Sequence, residues 1–249
     1  MRHYIHEFFR DNRHVISIGL IGCGGNGSVM ATNLAKIQGT LLALGRKSID
    51  VTIYDYDTFE EPNLYRQLCT TNDIGQNKAC ATASKINMFF NTDFKAVPER
   101  YSGEHHHILI CCVDSVQSRR SIIKAIPKNR KLTEELKNYY VMDLGNANNY
   151  GQVILSTSFK IKQPKSSQET VDFMPNFVQL YPRLRKTKDT GPSCSLAEAI
   201  ERQDLFINPI ITNYAAHLLF SFLRYYYIEN AGIAINIKSN LLTEIPLKK

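Results

Sequence analysis

The sequence predicts an α/β domain with a mostly parallel central sheet flanked by helices. Three observations carry that prediction. Short apolar runs alternate with stretches of helical apolar spacing from residue 15 to residue 157. One run, His107–Val113 (HILICCV), is almost wholly apolar, as a parallel strand covered on both faces must be. A glycine cluster, Gly22-Cys23-Gly24-Gly25-Asn26-Gly27, stands between the first strand and the first helix, where open α/β sheets bind phosphates.

The elements follow in order. Val15–Ile21 reads as a buried strand. Ser28–Gln38 reads as a helix, with Val29, Leu34 and Ile37 at helical spacing. Asp50–Tyr54 (DVTIY) is the second strand. A helix over Ile74–Phe90, opened by Gly75-Gln76-Asn77, carries Ala79, Ala83, Ile86 and Phe90 on one face. Phe94–Val97 is a short strand, His107–Val113 the apolar one, and Ser118–Ile126 a short helix. Tyr139–Leu144 and Gly151–Thr157 are further strands. From Ser158 to Lys188 the chain turns polar and carries Pro164, Pro175 and Pro182, which points to a functional or disordered segment. Helices over Ser195–Gln203 and Asn208–Glu229 come next, then a final strand or hairpin over Ile233–Glu244.

A length of 249 residues suits one large domain, and 43% hydrophobic with 21% charged residues excludes a disordered tail, a coiled coil and a collagen-like chain. The formal charge is +7, but the basic residues are spread along the chain. The densest stretches, Lys124–Lys137 and Arg183–Lys188, read as solvated faces, so nucleic acid is not the expected partner. Six cysteines without a C-x-x-C pair give neither a disulfide framework nor the usual zinc spacing. The N-terminus has no apolar core of signal-peptide length. The longest apolar stretch, Tyr214–Ile228, contains His217 and Arg224 and reads as a buried helix rather than a membrane span. The expectation is a soluble cytoplasmic protein with reduced thiols.

The glycine loop suits a phosphate: glycines let the backbone approach closely, and a helix N-terminus offers N–H groups and the positive end of the dipole. A purely structural turn is the plainer alternative. Asp55, at the end of the second strand, is placed to bond a ribose hydroxyl. Asp57 suits a Mg2+ site or a loop turn. Asn63, Arg66, Gln67 and Lys78 follow, a set that a dinucleotide dehydrogenase does not need and a triphosphate does, since Arg66 and Lys78 can neutralise its phosphates. Asp114, at the C-terminal end of HILICCV, stands where a metal-binding acid is expected.

At these residues the chain resembles the ThiF/MoeB/ubiquitin-activating family, the adenylating enzymes of ubiquitin-like proteins and sulfur carriers. Gly22–Gly27, Asp55, Asp57, Asn63-Leu64-Tyr65-Arg66-Gln67, Gly75-Gln76-Asn77-Lys78 and Cys112-Val113-Asp114 fall in family order and spacing. Asp143-Leu-Gly-Asn146, Gly151-Gln-Val and Pro192-Ser-Cys194-Ser-Leu-Ala-Glu are most similar to the ThiF-like proteins of bacterial PRTRC gene systems. The resemblance implies a Rossmann-like adenylation fold in one domain: a nucleotide-binding part at 15–157, a crossover loop at 158–195, and C-terminal helices and strands at 196–249. It implies that ATP is bound by Gly22, Gly24, Gly25, Gly27 and Asp55. Asn63, Arg66 and Lys78 would contact the triphosphate, supported by Gln67. Asp114 would hold Mg2+, assisted by Asp57. The implied reaction is attack of a protein C-terminal carboxylate on the ATP α-phosphate, with a small ubiquitin-like protein as substrate and a symmetric homodimer as assembly.

Cys194, in Gly191-Pro192-Ser193-Cys194-Ser195, stands where relatives carry a thioester- or persulfide-forming cysteine; an inert half-buried thiol is the alternative. Cys23 and Cys69 read as packing or loop residues, and Cys111 and Cys112 as core. The family's N-terminal Arg-Gln segment has no clear counterpart, Arg10 and Arg13 being the available arginines, more simply read as solvated charges. His105–His107 reads as a solvated loop and His217 as a satisfied core histidine. Arg119 is spaced to approach the nucleotide pocket, with a local cap or ion pair as its other role. Tyr225–Tyr227 reads as packing or dimer surface. Two competing functions remain on the sequence: a nucleotide-binding adaptor without turnover, and an NAD- or FAD-dependent oxidoreductase resting on the glycine loop alone.

Overall fold

The computed structural model describes residues 1–46, 48–127, 133–182 and 204–248. The chain opens with a two-residue strand, β1 (His3–Tyr4), and a 3-10 turn at Glu7–Arg10. Five parallel strands follow: β2 (Ile16–Ile21), β3 (Ile49–Tyr54), β4 (Lys95–Val97), β5 (Ile108–Cys111) and β6 (Tyr140–Asn146). Then β7 (Tyr150–Thr157), β9 (Asn230–Asn236) and β10 (Leu241–Pro246) extend the same sheet antiparallel, while β8 (Tyr227–Ile228) pairs with β1. The order across the large sheet is β10-β9-β7-β6-β5-β2-β3-β4. The chain reverses direction between β3 and β5 on either side of β2, the switch point at which open α/β sheets form a crevice.

The apolar runs form the strands the sequence predicts, because both faces are covered. Helices α1 (Gly25–Ala43), α2 (Lys78–Phe90) and α5 (Ile207–Tyr225) share a core with Ile18, Leu20, Val51, Ile53 and Met142. Helix α3 (Val116–Ala125) covers the other face, where Ile122 packs with Ile21, Leu109, Cys111 and Val141. The described part of the 158–195 crossover is irregular but tacked to the core through buried Ile161, Val171, Met174 and Phe177. It holds one short helix, α4 (Phe177–Leu180), capped by Asn176. Among the described residues no helix is long and apolar enough to cross a membrane.

Several expectations shift. Helix α1 begins at Gly25 rather than Ser28, so the second half of the glycine cluster is its first turn. Helix α2 begins at Lys78 rather than Ile74; Asn77 caps it by accepting the Cys80 N–H at 3.0 Å. Helix α5 ends at Tyr225 because Tyr226 takes a left-handed conformation (φ 66°) that turns the chain into β8. His106 and His107 are buried, not solvated: His106 Nε2 pairs with the Tyr54 hydroxyl at 2.8 Å, and His107 Nδ1 accepts the Ser17 N–H at 2.9 Å. His217 is exposed on the outer side of α5 rather than in the core. Cys194, the helix expected over Ser195–Gln203 and the basic stretch Arg183–Lys188 lie outside the described residues.

Candidate functional site

At the switch point a cavity of about 760 Å³ opens across the C-terminal ends of β3, β2, β5 and β6. Its floor is the glycine loop. Gly22 has φ 88°, and a Cβ there would come within 3.0 Å of the Cys112 backbone, so only glycine lets the loop leave β2 this close to β5. Gly24 is the N-cap of α1 and faces open space, with nothing within 4 Å of where a Cβ would stand. Gly25 and Asn26 also line the cavity, so the first turn of α1, whose N–H groups have no partner inside the helix, opens onto it. Gly27 is different. It is buried, does not line the cavity, and its Cβ would lie 1.9 Å from the Gly22 carbonyl oxygen. Its role is to let the first turn of the helix pack on the loop.

The β3 side carries the acids and cations. Asp55 is buried and accepts two backbone hydrogen bonds, from Cys23 N at 2.5 Å and Asp57 N at 2.9 Å. Burial raises its pKa, and the two N–H donors and Lys78 offset part of that rise. Asn77 donates to the carbonyls of Asp55 and Asp57, at 2.8 and 3.2 Å, which fixes the start of α2 and therefore Lys78. The Lys78 ammonium lies 3.8 Å from Asp57 Oδ2 and is largely buried. Asn63, which ends a 3-10 turn at Glu61–Asn63, and Arg66 just after it reach the cavity. The Asn63 Oδ1 accepts the Glu60 N–H at 2.9 Å, which fixes the side chain on the turn. Tyr65, between them, is held at φ 63°, a conformation that costs a non-glycine residue about 1–3 kcal/mol and sets the direction in which Arg66 leaves the turn. Partial burial lowers the Arg66 pKa, though a guanidinium stays charged at neutral pH. The Gln67 side-chain oxygen is buried there without a partner.

The β5–β6 side carries Asp114, exposed in the turn after β5. Beside it Arg119 is buried. It pairs with Asp143 at 3.0 Å and donates to the carbonyls of Val113 at 2.8 Å and Leu144 at 3.0 Å. Both sequence readings of Arg119, a local ion pair and an approach to the pocket, describe it. The sequence reading missed an amide ladder on this wall: Asn26 Nδ2 donates to Asn146 Oδ1 at 2.8 Å, and Asn146 Nδ2 to Asn208 Oδ1 at 3.0 Å. A polar residue at the variable position of the glycine motif was its one visible signal.

The cavity thus gathers Gly22, Gly24, Gly25, Asp55, Asp57, Asn63, Arg66, Gln67, Lys78 and Asp114, and omits Gly27. Arg10 and Arg13 precede β2, at the opposite end of the strands from the cavity; Arg13 pairs with Asp11, Arg10 lies over the Tyr226 ring, and neither lines the cavity. Cys23 is buried beneath the loop with its thiol pushed up to about 12, as an inert packing residue. Among the described residues no three His, Cys, Asp or Glu side chains converge as a metal cage. The donor set fits Mg2+ carried in by phosphates, which takes one or two protein carboxylates: Asp114 is the more available, Asp57 being shared with Lys78.

Solved structures with this architecture include PaaA, with a TM-score of 0.58 at 14% identity over 94% of this chain and 64% of that one. They also include E. coli MccB with ATP (0.58, 13% identity, 98% and 67%) and E. coli MccB with MccA-N7isoASN (0.56, 13% identity, 94% and 65%). The chain therefore spans about 63 to 67% of these relatives, and the likeness is one of fold. No curated protein matches the sequence. A family model described as ThiF matches residues 4–240, nearly end to end, and by that match the chain belongs to the ThiF family.

Proposed function

We propose that this protein adenylates a C-terminal carboxylate with ATP, and that the substrate is a small ubiquitin-like protein. The observation that carries the reading is the division of the cavity: an open helix N-terminus in the middle, Arg66 and Lys78 on one side, Asp114 on the other. Positive charge on one side of the helix terminus and a carboxylate on the other suit a polyphosphate with its cation, which supports the reading. The MccB structures are described with ATP and with MccA, which supports a nucleotide and a second reactant meeting in this fold.

In the proposed reaction an oxygen of the carboxylate attacks the α-phosphorus. The P–O bond to the β-phosphate breaks, its electron pair leaves with pyrophosphate, and an acyl-adenylate remains. A carboxylate is already deprotonated, so no general base is required, and catalysis rests on positioning and charge neutralisation. The first turn of α1 holds phosphate oxygens, Asp55 holds the ribose, and Asn63, Arg66 and Lys78 follow the charge that develops on pyrophosphate, with Gln67 in support. Mg2+ held by Asp114, with Asp57 assisting, would neutralise phosphate charge. The resemblance also implies a homodimer and a thioester on Cys194.

The test is ATP–pyrophosphate exchange with Mg2+, with and without a small ubiquitin-like protein. Exchange that requires its intact C-terminus supports the whole reading, and a non-reducing gel with Cys194→Ala then tests the thioester. ATP binding without exchange favours the adaptor reading, for which the lack of a clear counterpart to the family's N-terminal Arg-Gln segment speaks. No ATP binding overturns both.

A further inference from the structure

Arg119 does more than balance a buried charge. Its guanidinium joins three pieces of the fold that the sequence holds far apart. It donates to the carbonyl of Val113, whose peptide bond leads directly into Asp114, at 2.8 Å. It donates to Asp143 and to the Leu144 carbonyl at the end of β6, each at 3.0 Å. Its Cζ lies 5.2 Å from the centre of the Phe177 ring, which is buried on α4 in the described part of the crossover. Gly145 leaves room for it: a Cβ there would lie 2.4 Å from Arg119 Nη1. The planar head, with its fork of donors and two flat faces, is what lets one side chain serve all these partners.

We propose that Arg119 is a positioning residue that links the seat of α4 to Asp114, so that docking of the crossover segment sets how the acid faces the nucleotide. The proposal rests on the adenylation reading, in which Asp114 serves the Mg2+ nucleotide. Displacing the ring from the guanidinium loosens the Val113 carbonyl and with it the turn that presents Asp114.

The experiment is calorimetric ATP binding at a series of free Mg2+ concentrations, without any protein substrate, read as the Mg2+ midpoint. Three variants disturb the link differently. Arg119→Lys keeps the charge but loses the fork and the stacking face. Gly145→Ala keeps Arg119 and evicts its head. Phe177→Leu keeps an apolar side chain of similar size and removes only the ring. Arg119→Lys and Gly145→Ala are expected to raise the midpoint about 10-fold, in the range by which lost support of a metal ligand weakens a site. Phe177→Leu is expected to raise it several-fold while the melting temperature stays near wild type. Combined with Asp114→Asn, none of them should add a further shift, because the effect runs through that carboxylate. A wild-type midpoint in Phe177→Leu and Arg119→Lys, with a shifted one in Asp114→Asn, overturns the proposal. So do shifts that add fully. An Asp114→Asn midpoint equal to wild type removes the acid's role and the proposal with it, while ATP binding itself survives. A wild-type protein that binds no ATP overturns the adenylation reading beneath both.

Discussion

Two neighbouring glycines should fail in opposite ways when each is changed to alanine. At Gly24 the φ is −78° and a Cβ meets nothing within 4 Å. The methyl group adds no clash to the folded protein, and the cost is that of alanine as an N-cap, about 1 kcal/mol, or roughly 2–4 °C in Tm for a chain of this size. The space it fills, however, is where a phosphate must approach the first turn of α1. Loss of one charge-assisted hydrogen bond there is worth about 1.5–3 kcal/mol, which is a rise of roughly 10- to 150-fold in the Kd for ATP. At Gly27 the same methyl would lie 1.9 Å from the Gly22 carbonyl oxygen and 2.8 Å from its carbon. Backbone cannot swing aside as a side chain can, so Gly27→Ala should cost about 3 kcal/mol, or roughly 6–12 °C. Thermal melts followed by circular dichroism, with titration calorimetry for ATP, read the two variants side by side. A Gly24→Ala protein that folds well and binds ATP as tightly as wild type would refute the phosphate cradle.

Other expectations follow from charges. Lys78→Ala should slow pyrophosphate exchange about 100-fold, yet barely move the melting temperature, because its Asp57 partner is half-exposed at 3.8 Å. Asp55→Asn leaves an amide N–H facing one of the two backbone N–H groups that Asp55 now accepts, so urea unfolding should show a loss of about 2 kcal/mol beside weaker ATP binding. Acid should destabilise the fold well above the carboxylate range. Burial lowers His3 and His106 to about 4, so below the unfolded value near 6.5 the unfolded chain binds protons that the native one refuses. Stability is then full above pH 6.5 and falls as pH drops toward 4, by about 2 kcal/mol per histidine between pH 7 and pH 5. Urea midpoints that stay flat over that interval would contradict it.

The sequence carried the parallel half of the sheet well, because strands such as Ile108–Cys111 are apolar on both faces. It carried the cavity too, since Gly22 and Asp55 follow directly on strand ends and Asp114 comes in the turn just after one. What it hid depends on partners remote in the chain. His106 is buried because Tyr54 meets it, and His107 because Ser17 does, contacts that no local pattern announces. The amide ladder joins Asn26, Asn146 and Asn208 from three separate segments. Local propensity misled at two helix ends. Glycine is a poor helix former, so propensity starts α1 at Ser28 where the structure starts it at Gly25. Tyr226 takes a left-handed cap normally marked by glycine, so α5 was read too long.

The small ribbon of His3–Tyr4 with Tyr227–Ile228 gives the molecule a late-closing seam. On the ribosome this strand emerges far ahead of its partner, which lies at the other end of the domain; at about 5–20 residues per second it waits unpaired for tens of seconds. His3 gains its full enclosure, and its bonds to Val171 and Tyr140, only when distant parts of the chain arrive. Arg2 is caught by Glu229 at the same stage. The seam therefore closes only after Tyr227 has been made, and chains cut short before it should leave His3–Tyr4 open to proteases.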